Sequence, residues 1–140
     1  MLQAGRQALG LDEGVLIQMD IRRLGLQEAS IDVVRAQALF HHLTRRAADV
    51  AMRELVRILK PGGLLYLFVR YGTHEGFINE SGLGPRYFRY FTLTSLRALI
   101  RRHGLRELEY KRLTAHPNLP CLVLLTEKPT GIAEKRVMNT

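Results

Sequence analysis

The stretch Ser30–Arg70, SIDVVRAQALFHHLTRRAADVAMRELVRILKPGGLLYLFVR, constrains this chain more than any other. Ile31 to Ala36 is short, apolar and rich in β-branched residues, which predicts a strand buried on both faces. Thr44 is placed to cap a helix running to about Leu59. Along it Ala48, Ala51, Leu55, Ile58 and Leu59 recur at helical spacing and form one apolar stripe, while Arg46, Asp49, Arg53 and Arg57 fall mostly opposite. Lys60-Pro61-Gly62-Gly63 ends the helix, because proline cannot continue it and glycine accepts the left-handed exit. Leu64 to Val69 then reads as a second buried strand. Strand, amphipathic helix and strand at this spacing make a right-handed crossover in a parallel sheet, hence an α/β fold.

The flanks add weaker signals. Met1 to Leu9 is a short helical pattern that Gly10 can close. Val15 to Met19 predicts a short strand ended by Asp20, and Ile21 to Ala29 is polar and irregular. Tyr71 to Phe91 holds four glycines and a proline. It is too long for a tight connection, and loops of this length tend to carry function. Leu93 to His103 predicts a helix, with Thr92 or Thr94 as cap, Leu96, Leu99 and Ile100 inward, and Gly104 as stop. Arg106–Leu113 alternates as a half-exposed strand, Leu119–Thr126 as a buried one, and TAHPN between them predicts an antiparallel pairing. Thr130 to Thr140 has little pattern.

With 140 residues and 46% hydrophobic content, the chain suits one domain with a real core. No apolar run approaches the roughly 20 residues of a membrane span, and the start MLQAGRQALGLDEG lacks the features of a signal peptide. The single cysteine, Cys121, excludes a disulfide framework and sits in the apolar run LPCLVLL as a buried, inert thiol. A cytoplasmic protein fits these features. The formal charge of +8 raises a nucleic-acid partner. The basic residues are scattered and mostly arginine, which favours a solvated basic face.

SIDVV, ALFHHL and RELVRILKPGGLLYLFV together resemble the second half of a class I S-adenosylmethionine-dependent methyltransferase, with Ile31 where an aromatic is usual. MLQAGRQAL resembles the segment that precedes that family's third strand. The resemblance covers about residues 1–128 and leaves 129–140 as a tail. It implies a partial Rossmann-like methyltransferase sheet, mostly parallel, with an antiparallel hairpin at its C-terminal edge. It also implies that the first two strands, the glycine-rich loop and the ribose-binding carboxylate are absent, so that the chain looks truncated and is expected to be inactive alone.

The cofactor implied is S-adenosylmethionine. By resemblance Asp20 accepts a hydrogen bond from the adenine amino group, a task that suits an acceptor-only carboxylate, and the Ile21 amide meets a ring nitrogen. Asp20 could instead cap a turn. The backbone of Ala36, Gln37 and Ala38 would meet the methionine part, and Phe40 would lie against the adenine or ribose unless it is simply core. His41 could line the substrate side, and Tyr71, Arg86 and Tyr87 could offer polar contacts to a small-molecule methyl acceptor. No catalytic residue is expected, since the sulfonium is already activated and the protein aligns donor and acceptor. Adjacent His41 and His42 lack metal-site spacing. Asp32, charged at the start of a strand, needs a backbone amide or an arginine as partner. Without the two absent strands, the strand Ile31–Ala36 would have an open edge: the strand Val15–Met19 shifts to pair with it, a second copy or a partner chain binds there, or the chain aggregates. A non-catalytic methyltransferase-like subunit and an RNA-associated module are the alternative readings.

Overall fold

The computed structural model describes Gln7, Gly10 and residues 16–131 apart from Ser81 and Pro117. Six strands and two helices are complete among the described residues, in order: β1 (Ile31–Gln37), α1 (Arg45–Ile58), β2 (Leu59–Arg70), β3 (Glu75–Ile78), β4 (Arg86–Arg89), α2 (Leu93–Arg102), β5 (Arg106–Ala115) and β6 (Leu119–Glu127). A single 3₁₀ turn, Phe40–His42, joins β1 to α1. The main sheet has the order β1-β2-β6-β5, and β3 and β4 form a separate hairpin. β1 and β2 are parallel, whereas β6 runs antiparallel to both β2 and β5.

The central crossover forms as its residues demand. The Thr44 side chain accepts the Ala47 amide, capping α1, whose Ala48, Ala51, Met52, Leu55 and Ile58 are buried. Fully burying each of the larger side chains is worth roughly 1.5–3 kcal/mol. They pack on Leu65, Leu67 and Val69 of β2 and on Leu122 and Leu124 of β6. The register pairs Leu65 with Thr126, Leu67 with Leu124 and Val69 with Leu122, so these residues share the core face. Lys60-Pro61-Gly62-Gly63 is a bulge inside β2: Ile31 pairs Leu59, yet Val33 pairs Leu64. Thr92 and Ser95 form a reciprocal capping box at the start of α2, which buries Leu96, Leu99 and Ile100.

The structure departs from the sequence pattern in several places. Of the run Val15–Met19, Val15 lies outside the described residues, Leu16 sits at a bridge, and Ile17–Met19 lies outside the sheet with Ile17 and Met19 exposed. What fixes this region is a strap on α1. Glu54 accepts the Leu24 amide at 2.8 Å, and the Arg57 guanidinium donates to the Leu24 and Leu26 carbonyls at 3.0 and 2.9 Å. β1 is buried on one face only; Val33 is 60% exposed and Ala36 alone is fully buried. Asp32 correspondingly stays in solvent, where its partner is the Lys60 ammonium at 3.2 Å rather than an arginine. Tyr71–Phe91 contains the β3–β4 hairpin, a feature that its glycine-rich sequence hides. The helical pattern Met1–Leu9, apart from Gln7, which is helical, and the tail beyond Gly131 lie outside the described residues. Among the described residues no helix is long and apolar enough to cross a membrane.

Gly63 shows why the bulge needs a glycine. A Cβ there would lie 2.8 Å from the Lys60 carbonyl oxygen and 3.1 Å from that of Asp32. Both obstacles are backbone and cannot swing aside. Gly63→Ala is therefore expected to lower stability by roughly 1–3 kcal/mol, read as a reduced urea midpoint at unchanged slope. An unchanged midpoint would mean that the bulge relaxes freely.

Candidate functional site

In an open α/β sheet, ligands bind beyond the carboxyl ends of the parallel strands. Here those ends are Gln37 of β1 and Arg70 of β2, one register step apart from the pair Gln37–Phe68. β1 finishes in a tight bend. Ala38 adopts a left-handed φ of 56°, and its amide donates to the Phe68 carbonyl at 3.0 Å. Gln37 and Ala38 are exposed, while Ala36 is buried beneath them.

The 3₁₀ turn that follows sends its side chains in opposite directions. Phe40 is fully buried and belongs to the core, so its ring presents no surface to a ligand. His41 and His42 instead face the hairpin, with ring centroids 5.9 and 4.5 Å from that of Phe88. The His41 Nδ1 accepts the Arg70 amide at 3.2 Å, which leaves its proton on Nε2. The His42 Nδ1 lies 3.3 Å from the Tyr87 carbonyl, so that nitrogen carries the proton and Nε2 keeps a free lone pair. Burial, then the neighbouring His42, Arg70 and Arg86 charges, pushes the His41 pKa down to about 4. Burial also lowers that of His42.

Arg70 is the centre of this cluster. Its guanidinium lies 4.4 Å from the Phe88 ring centroid, donates to the Tyr90 hydroxyl at 3.3 Å and pairs with Glu80 at 2.6 Å. Sequence reasoning passed over Arg70, Glu80 and Tyr90. The available signal was a charge ending the apolar run LLYLFV at the carboxyl end of a strand.

Of the other expected residues, Arg86 is exposed and lies 5.4 Å over Phe88, beside this cluster. The Tyr87 hydroxyl turns to Glu75 at 3.1 Å. Tyr71 is elsewhere: it bridges to Phe91, and Arg112 of β5 stacks 3.9 Å over its ring. Asp20 is exposed and engaged in a local turn. Its carboxylate accepts the Arg22 amide at 2.9 Å and both Nε and Nη2 of the Arg22 guanidinium, a pairing that holds its pKa at about 2. Ile21, next to it, packs against the core. Among the described residues no three His, Cys, Asp or Glu side chains gather as a metal site.

The residues present fit part of a nucleoside–amino-acid cofactor. The exposed bend at Gln37–Ala38 offers backbone to a ligand above β1, and Asp20 stays ionised with lone pairs to spare. Among the described residues no glycine-rich turn lies at a strand end, and no unpaired carboxylate does.

The buried His41 makes stability depend on pH. Its native pKa lies below the ordinary 6.5, so between pH 6.5 and about 4 the unfolded chain takes up a proton that the native state refuses. Stability is therefore fully present above pH 6.5 and falls through this window, by up to about 3 kcal/mol from this group. Urea midpoints measured across the window should fall for the wild type and fall less for His41→Gln. Superimposable profiles would assign the loss to other groups.

The family description "Methyltransferase domain" matches residues 1–67. A protein of Encephalitozoon cuniculi that bears a methyltransferase name is 40% identical over 55 residues, 39% of this chain and 26% of that protein. The chain thus spans about a quarter of the length of that curated relative. A solved S-adenosylmethionine-dependent methyltransferase from Methanosarcina mazei superposes with a TM-score of 0.76 at 16% identity, covering 91% of this chain and 77% of that one. The 1,6-didemethyltoxoflavin-N1-methyltransferase of Burkholderia thailandensis, solved with its substrate and S-adenosylhomocysteine, gives 0.69 at 21% identity over 81% of this chain and 50% of that one. The β1–α1–β2 crossover, the antiparallel β5–β6 edge and these matches identify the chain as one with the class I S-adenosylmethionine-dependent methyltransferase fold.

Proposed function

We propose that the domain to which this chain belongs transfers the methyl group of S-adenosylmethionine to a small molecule. The observation that carries this reading is the parallel β1–β2 pair ending in an exposed bend at Gln37–Ala38, beside the polar cluster of His41, His42, Arg70 and Arg86. S-adenosylmethionine is the cofactor of this fold. When bound, it supplies an activated methyl group, and the protein's own task is to orient the acceptor and exclude water. Backbone at residues 36–38 would hold the methionine end, with Asp20 and the Ile21 amide toward the adenine.

On the acceptor side Arg86 is the exposed cation and the His42 Nε2 the free acceptor, which suits a polar substrate with an acidic proton. Arg70 is already neutralised by Glu80 and serves as scaffold. The glycine-rich turn and the ribose-binding carboxylate are not among the residues that form this site. Calorimetric titration of S-adenosylmethionine into this chain should therefore give weak or undetectable binding. Micromolar or tighter affinity would overturn that part of the reading and make this chain a sufficient cofactor site.

A second reading concerns assembly. β1 pairs only with β2 among the described residues, so its other edge presents open backbone amides and carbonyls with Val33 exposed beside them. An antiparallel edge is self-complementary under a two-fold axis, so a second copy is the occupant we favour. Light scattering after size exclusion should show a dimer that Val33→Lys returns to monomer. A wild-type monomer at micromolar concentration would remove the reading.

A further inference from the structure

Away from the cluster around Arg70, a second set of arginines gathers between α1, β4 and α2. Arg89 of β4 is only 7% exposed, yet no hydrogen bond or ion pair reaches its guanidinium among the described residues. The Phe91 ring lies 4.5 Å from the guanidinium carbon. The neighbouring cations differ. Arg45 is paired with Glu75 at 3.1 Å, and Arg102 with Asp49 at 2.9 Å, where His103 also donates. Three guanidinium groups thus face two carboxylates, and the uncompensated charge is the buried one.

A buried cation without a partner is costly, and a ring face offsets only a small part of that cost. Arginine cannot escape by losing its proton in the ordinary pH range. Burial, then the Arg45 charge, pushes the Arg89 pKa down. Arg89 also lines two adjoining cavities. One, of about 320 Å³, lies among Arg45, Asp49, Ser95 and Arg102; the other, of about 180 Å³, lies among Arg45, His74, Tyr90, Thr92, Ser95 and Glu75, the last held by Arg45. Arg45 and Ser95 border both, and the second opens at the amino-terminal turn of α2, where the helix dipole is positive.

We propose that this basin is an anion site in which Arg89, with Arg45 and Arg102 at the rim, holds a tetrahedral oxyanion: phosphate or sulfate, free or as the head of a larger molecule. The planar fork of Arg89 suits two parallel hydrogen bonds to such a group. Space for it exists without moving the backbone. The site is separate from the Gln37–Ala38 bend and does not rest on the methyl-transfer reading.

The test is thermal unfolding of the full chain in chloride buffer titrated with inorganic phosphate, and separately with glycerol 3-phosphate, at matched ionic strength. Phosphate at ten times its Kd should raise Tm by roughly 5 °C. A shift with both probes assigns the site to the oxyanion itself, whereas a shift with the ester alone assigns it to a larger phosphorylated molecule. Arg89→Met should melt at or above the wild type without phosphate, since a buried charge is gone, and should lose the phosphate shift. If that variant fails to fold, Arg45→Gln serves instead. Arg45 is largely exposed and its pair with Glu75 contributes little to stability, so this variant should fold and bind phosphate about five-fold more weakly. No shift with either probe, a shift retained in full by Arg89→Met, or unchanged affinity in Arg45→Gln would overturn the proposal.

Discussion

The junction between α1 and β2 is the constraint on which the rest of the fold depends. A helix that leads directly into a parallel strand leaves its last carbonyls without partners and must also set the register of the strand. The Ala29 and Ser30 amides donate to the Arg57 and Ile58 carbonyls at 2.9 and 2.8 Å, and Lys128 meets the remainder of both demands. The Lys128 ammonium donates to the Val56 and Leu59 carbonyls at 2.8 Å each, placing a cation at the negative end of α1. The Lys128 backbone closes on the bulge from the other side, accepting the Gly62 amide at 2.7 Å and donating to the Gly63 carbonyl at 2.9 Å. The end of β6 thereby fixes where β2 restarts. Every inward residue of β2, from Leu65 to Val69, takes its face from that point, and a slip of one residue would expose them all.

The crossover was legible because its signals are local and mutually consistent: a capping threonine, an apolar stripe of period 3.6 and an apolar strand; Pro-Gly-Gly, read as the helix stop, instead forms the bulge inside β2, since α1 already ends at Ile58 with Leu59 extended. The C-terminal hairpin was legible for the same reason, as alternation and a turn. What misled was burial. Ile31–Ala36 is apolar enough for a strand covered on both sides, but periodicity does not report whether a second layer is present. Ile17–Met19 carries strand propensity yet lies outside the sheet, and the linker that follows is strapped to Glu54 and Arg57 instead.

The site was less legible than the fold, because long-range partners decide what a polar residue does. Phe40 and His41 are adjacent, and one enters the core while the other reaches the Arg70 amide. Tyr71 and Tyr87 both lie in the segment marked as a substrate wall, yet Tyr71 turns toward Arg112 and Tyr87 toward Glu75. Arg70 and Arg89 look equivalent on paper as single arginines beside aromatics. One has Glu80 and the other, among the described residues, has a ring but no carboxylate partner, a difference visible only once the hairpin is folded back.

The β3–β4 hairpin is held to the body largely by charge and ring contacts: Arg45 to Glu75, Arg70 to Glu80, and the two histidines to Phe88. The two ion pairs weaken in concentrated electrolyte, whereas the buried rings and the greasy seam beneath α1 do not. The molecule is thus built from two parts with unequal tolerance, a durable slab and a flap that owes part of its grip to the ionic composition around it. Brine should loosen the flap before it disturbs the slab.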